Sequence, residues 1–263
     1  MRTIIITLLI LASCTPTNDS IDIEEKDGLM YKKGTSELFT GLRTEYFDNG
    51  QISFRAPYEN GVRNGKTIWW HETGKKKAEG QTIKGLKEGE WKSWFEDGAI
   101  SMLADFKKGK QNGRQIEYHP NGKIALESFK IDDKLHGVSK SFDEDGNIEV
   151  EVTYEHGVAN GRTNSYHKNG QIENDFTYVN GLKQGEAKIF YGNGKLNTVT
   201  NYKDNKMDGK TTVYHMNGQI SGTTFHRAGK LDGTWSFYDS LGHLLEERIF
   251  KDSVLVKTMN YRK

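Results

Sequence analysis

One cysteine, Cys14, and three prolines are all that the 263 residues contain of those two types. A lone thiol can form no intrachain disulfide and build no cysteine-based zinc site. Scarce proline keeps backbone N–H groups available along the whole chain, as an architecture of many paired strands requires. Charge of one sign is missing too: the net charge of +1 gives no overall field for nucleic acid or an anionic surface. Only 34% of residues are hydrophobic, too few for a thick two-layer core. Catalytic signatures are equally absent, with no Gly-x-Ser-x-Gly and no His-Glu-x-x-His. Gly65-Lys66-Thr67 and Gly209-Lys210-Thr211 resemble the end of a phosphate-binding loop, but Asn60 and Asp204 stand where its first glycine belongs. Asp143-Glu144-Asp145-Gly146 starts like a calcium loop and lacks the twelve-residue ligand pattern. No acid, base and nucleophile converge, so the chain reads as a non-enzyme without metal or cofactor.

What the chain has instead is a period. Glycine recurs at Gly41, Gly65, Gly89, Gly113, Gly137, Gly161, Gly185, Gly209 and Gly233, nine starts spaced by 24 residues without an insertion. Five residues after each start comes an aromatic (Tyr46, Trp70, Trp94, Tyr118, Phe142, Tyr166, Phe190, Tyr214, Tyr238), and nine after it a second glycine. Eleven after it stands Ile or Leu, except at Lys76. Self-similarity at a fixed period of this length marks a repeat array.

Each unit reads as a β-hairpin. Segments such as Asp48-Asn49-Gly50 suit a three-residue loop whose glycine takes a left-handed conformation. That loop pairs Tyr46 with Ile52, Trp94 with Ile100 and Tyr118 with Ile124. Strict alternation from these pairs puts Phe54, Met102, Leu126, Tyr58, Phe106 and Tyr154 on the same face as the loop aromatics. A second turn, Asn60-Gly61 or Asn180-Gly181, joins one unit to the next, with Asp133 and Asn205 replacing the glycine elsewhere. The expected fold is all-β: an elongated single-layer antiparallel meander of nine 24-residue hairpin repeats, twisted and coiled, about 85 Å long at two strands per repeat. A degenerate leading repeat is expected over 28–40 and a closing strand over 254–261.

The consensus Gly-x4-aromatic-x2-(Asn/Asp)-Gly-x-(Ile/Leu), followed by Tyr-x-Asn-Gly-x3-Gly, resembles the bacterial variant of the MORN repeat over residues 28–263. Thr82, Lys130 and His226 depart from it by replacing the second aromatic. The resemblance implies a fold and not a reaction: similar proteins serve as interaction modules or scaffolds, and some carry the label of antitoxin.

The start of the chain reads as an address. Arg2 precedes the apolar run Ile4 to Leu11, too short to span a bilayer, which makes residues 1–13 a secretory signal. Leu11-Ala12-Ser13-Cys14 resembles the lipobox of bacterial lipoproteins, which implies cleavage before Cys14 and its acylation by chains such as palmitate. Residues 14–27, with Asp19, Asp22, Glu24, Glu25 and Asp27, read as an acidic flexible tether. Lipid anchoring in the cell envelope follows as the expectation, at the outer membrane rather than the inner one in a Gram-negative host.

Three surface features invite function. His71, His119, His167 and His215 share one repeat position, but sites two repeats apart are about 19 Å from each other and cannot share a metal ion. By alternation Trp69, Trp91, Phe95, Trp235 and Phe237 lie on the otherwise polar outer face, where a partner or the coiling of the sheet itself would cover them. The same count places Glu149, Glu151, Glu173 and Asp175 there, with Glu127 and Asp143 nearby, as an acidic patch suited to a basic partner or simply to water. The leading expectation is a non-catalytic protein–protein interaction scaffold anchored to the membrane through its N-terminus. Its rivals are an antitoxin or immunity protein neutralising a co-encoded toxin, and a glycan-binding surface protein whose tryptophans stack on sugar rings.

Overall fold

The computed structural model describes residues 22–261. Among them no helix occurs; Ile23–Lys26 and Leu29–Lys32 form a two-stranded sheet of their own, and the strands from Gly41 onward follow one another as one antiparallel meander. The sheet is open: Gly41–Tyr46 pairs with Ile52–Glu59, and Val254–Asn260 at the far end pairs with Leu244–Lys251. The expected signal segment and the lipobox-like stretch with Cys14 lie outside the described residues. The reading of 14–27 as a flexible tether needs correction at its end. Ile23–Lys26 is a strand paired with Leu29–Lys32, because Ile23 packs against the first core cluster of Met30, Phe39, Phe54, Ala56 and Tyr58.

The two turns are those the glycines and asparagines specify. In the first hairpin Phe47 N–H donates to the Gln51 carbonyl (2.8 Å), Gly50 N–H donates back to Phe47 (2.9 Å), and Gly50 sits at φ +81°. At the joining turn Asn60 and Gly61 have φ of +50° and +79°, the two left-handed residues of a tight hairpin whose twist matches the strands. Asp133 and Asn205, which replace the second glycine, keep that conformation at +69° and +64°.

The cross-hairpin pairs Tyr46 with Ile52, Trp94 with Ile100 and Tyr118 with Ile124 are present. Immediately beyond each of them the register shifts: Glu45 pairs with Phe54, so Ser53 is an extra residue on the returning strand. This bulge recurs in every hairpin and reverses the face assignment made by strict alternation. Phe54, Met102 and Leu126 therefore share a face with the residue before each loop aromatic, not with the aromatic itself. The loop aromatics point the other way: Tyr46 is 59% exposed, Trp70 meets Arg55, and the Tyr166 hydroxyl donates to Glu151.

One inner face results, with three rows running the length of the ribbon. Its midline mixes small and large residues: Ala56, Thr67, Ala104, Ser128, Thr163, Ala187, Thr200 and Thr211 are buried there, beside Trp91, Gln115, Phe176 and Trp235 in the same row. A small neighbour leaves a large one its room, as Ala104 opposite Trp91 and Gly80 against the same ring do. Thr67 and Thr82 solve the polar part together, their hydroxyls 3.1 Å apart with Thr82 donating to the Gly65 carbonyl. In the adjoining row each repeat-opening glycine faces the second aromatic, Gly41 against Tyr58 and Gly233 against Phe250, or the residue that replaces it. Gly65 shows why glycine is needed: φ is +130°, and a Cβ would fall 2.5 Å from Cγ of Pro57.

Both margins of the ribbon are laced to the next repeat. On one margin the second turn residue donates its N–H to a carbonyl 22 residues back, as Gly85 does to Arg63 (2.7 Å). On the other, His71, His119, His167 and His215 place Nε2 at 2.8 to 3.0 Å from the carbonyls of Trp94, Phe142, Phe190 and Tyr238. Tyr191, at the same repeat position, makes that bond with its hydroxyl to Tyr214 (2.6 Å). The histidines are thus latches between neighbouring loops.

Candidate functional site

The inner face of the first three repeats forms a trough of about 830 Å³, open on one side and bounded by Met30 of the leading hairpin. Its floor is aromatic because the bulge turns Trp69 and Trp91 inward. Trp69 packs on Phe54 (5.4 Å between ring centroids) and on Trp91 (5.6 Å), and Trp91 on Phe106 (6.1 Å). Trp91 is only 3% exposed and donates Nε1–H to the Gln81 carbonyl at 3.2 Å. Gly80 lies under its ring, where a Cβ would come within 2.2 Å of the indole.

Cations stand over this floor. Lys87 Nζ lies 4.4 Å from the Trp91 ring centroid and 4.5 Å from that of Phe106, and the Arg63 guanidinium lies 5.7 Å from Trp69. Such contacts are favourable electrostatically, the more so when desolvated. Burial, and then the Arg63 charge beside it, pull the Lys87 ammonium below its usual value. Arg43 is held by Glu45 at 2.5 Å. The device recurs at Lys183, 3.9 Å from the Phe176 ring and 4.9 Å from that of Tyr202, where burial again lowers the lysine.

The outer-face expectation for Trp69, Trp91, Trp235 and Phe237 is therefore corrected. Trp235 stacks on Phe237 (4.6 Å) and meets Phe250 (6.0 Å) on the inner face, under Arg248. Phe95 belongs to neither group and sits in a hairpin loop, hydrogen-bonded through its backbone to Ala99 and Gly98. The acidic patch divides as well. Glu127, Glu151 and Asp175 occupy one outer row in which Lys140 and Lys188 alternate with them. Each has a basic partner: Arg114 at 3.0 Å, Lys140 at 2.7 Å and Arg162 at 2.9 Å. Lys140, and after it the Tyr166 hydroxyl, hold Glu151 below the usual carboxylate value. Glu149 and Glu173 occupy bulge positions and, with Asp143, line a separate depression of about 540 Å³. Among the described residues no three metal-binding side chains come together.

A profile of the MORN repeat variant matches residues 39–60, 63–84, 87–108, 111–129, 135–156, 159–180, 183–204 and 231–252, most of the chain. The chain belongs to the MORN repeat variant family. Comparison with curated proteins returns no match. Among solved structures the chain is similar to one titled "Crystal Structure of TcdB2-TccC3", at 11% identity and a TM-score of 0.21. That likeness covers 84% of this chain and 14% of the other, so the chain spans about a seventh of that structure's length. The 24-residue unit between 205 and 230, which the profile passes over, holds Gly222 opposite Phe237 and His226 in place of the second aromatic.

Sequence reasoning did not find Arg63 and Lys87. Their signal was available, since they occupy one repeat position 24 residues apart, but a cation beside a turn ordinarily reads as solvated surface.

Proposed function

We propose that this MORN-repeat protein is a non-catalytic scaffold of the cell envelope, anchored through acylated Cys14, whose trough receives a partner protein. The observation that carries the reading is a floor of packed rings under cations without carboxylate partners, exposed on one side of an otherwise charge-balanced ribbon. Surfaces that combine aromatic side chains and arginine within a concavity are favoured places for tight contact. The outer face, with its alternating acids and bases, suits water. The same trough would serve if the partner were a co-encoded toxin, which would make the protein an envelope immunity factor.

The test places a photo-crosslinking residue at Ser53 or Lys77 in the trough and, in a matched protein, at Lys188 on the outer row. Irradiation of intact cells should give a discrete adduct from the trough positions alone. Equal yields from trough and outer row would remove the reading. Anchoring is checked separately, by labelled palmitate that Cys14→Ser should no longer incorporate.

A further inference from the structure

Resting on that reading, we propose that the segment the trough takes from its partner is an acidic, extended peptide whose carboxylates meet Arg63 and Lys87. Four cations, Arg43, Arg63, Lys77 and Lys87, line the trough against two carboxylates, Glu25 and Glu45, and Glu45 is already engaged by Arg43. Arg63, Lys77 and Lys87 make no ion pair among the described residues, although ion pairs are frequent along the rest of the ribbon. Lys87 is partly desolvated and feels Arg63 rather than any acid. Like charges gathered in a partly dry concavity call for a counter-charge, and a carboxylate there would face weak competition from water.

Spacing narrows the occupant. Arg63 and Lys87 are equivalent residues one repeat apart, each at the start of an outgoing strand, so two strand spacings of about 4.8 Å put their backbones about 9.6 Å from each other. A peptide in the polyproline II conformation returns the same face every third residue, after about 9.3 Å. Glu-x-x-Glu in that conformation presents two carboxylates at the interval of the two cations. Sugar stacking is the poorer fit, because Trp91 is buried and Lys87 already covers its ring. A flat anionic bilayer is the poorer fit too, since Lys87 lines the trough. Nucleic acid would need a longer basic track than the charge-balanced rows supply.

The experiment uses the full mature protein and a fluorescein-labelled proline-rich dodecapeptide with Glu at every third position, read by anisotropy. Three controls accompany it: the peptide with Lys for Glu, an isomer with Glu at every second position, and oligogalacturonate as competitor. Saturable binding of the Glu-x-x-Glu peptide is expected, weakened at least about tenfold in Arg63→Gln/Lys87→Gln and by added salt. Lys183→Gln, at the other covered ring pair, should leave it unchanged. Where the double variant fails to fold, as far-UV circular dichroism would report, Arg63→Gln alone serves and should still weaken binding severalfold. No saturation by about 1 mM peptide, undiminished affinity in the folded variant, or equal binding of the Lys peptide or the every-second isomer overturns the proposal. Displacement by oligogalacturonate at lower concentration than by unlabelled peptide overturns it as well. Should the peptide fail while trough crosslinks persist in cells, the partner reading stands and the acidic segment falls.

Discussion

Replacing Gly80 by alanine should be among the most damaging small substitutions in the chain. The added Cβ would lie 2.2 to 2.5 Å from three atoms of the Trp91 indole, where carbon contacts settle near about 3.5–4.0 Å. The ring would have to retreat by more than about 1 Å. It is held by Trp69 and Phe106, covered by Lys87, and tied through Nε1 to Gln81. Overpacking of this kind costs about 1–3 kcal/mol. Losing the indole hydrogen bond adds about 1 kcal/mol. The lower backbone entropy of alanine in a strand returns about 0.5–1 kcal/mol. A net loss of about 1–3.5 kcal/mol is expected, concentrated in the second and third repeats because each repeat contacts mainly its neighbours. Urea unfolding followed by far-UV circular dichroism and by tryptophan fluorescence measures it. The same substitution in a Trp91→Ala background should cost nothing further, since the clash has gone. A Gly80→Ala midpoint equal to wild type, or a full penalty without the ring, would falsify the packing argument.

Three further outcomes follow from the lacing, the midline and the outer row. His119→Leu should lose about 1 kcal/mol by orphaning the Phe142 carbonyl, whereas His119→Tyr should stay within about 0.5 kcal/mol because Tyr191 already makes the equivalent bond; thermal unfolding separates them. Thr82→Val should cost about 1–3 kcal/mol by taking the acceptor from the buried Thr67 hydroxyl and the donor from the Gly65 carbonyl, while Thr67→Val should cost less because Thr82 still donates to Gly65, and a double-mutant cycle reads their coupling. Glu151 titrates below its unfolded value of 4.5, so its contribution is present above that pH and lost as pH falls through the lowered folded value. Glu151→Gln should therefore flatten the acid limb of the stability profile in that window. As the side of an exposed pair, it should cost under about 1 kcal/mol at neutral pH, measured by denaturant unfolding at stepped pH.

The architecture was legible because it is written in turns. Gly50 at a left-handed loop position, and Asn60-Gly61 at the joining turn, fix where the chain reverses whatever the strands contain. The faces were not legible, and one residue per repeat is the reason. Ser53 and its equivalents carry no side-chain signature of a bulge, yet each moves every later residue of its strand to the opposite side. That single step turned Trp69, Trp91, Trp235 and Phe237 from candidates for an outer contact surface into the floor and wall of the inner one. It also parted Glu149 and Glu173 from Glu151 and Asp175. The latching histidines were visible as a pattern, but their partner lies 23 residues away across a loop, and such pairings need coordinates. Thr82 read as a gap in the aromatic ladder; in the fold it is the acceptor and donor that lets Thr67 be buried.

The stitching along both margins bears on how the ribbon would respond to force. Pulled at its two ends, it cannot shear as one block, because every hairpin is fastened only to the one before and the one after. It would part at an outer hairpin first, and each release would pay out about 80 Å of chain for 24 residues at about 3.3 Å apiece. Extension would then arrive in equal parcels, separated by the rupture of one latch and one turn bond. Length under load would be counted in whole hairpins, and relaxation would let them click back in reverse order.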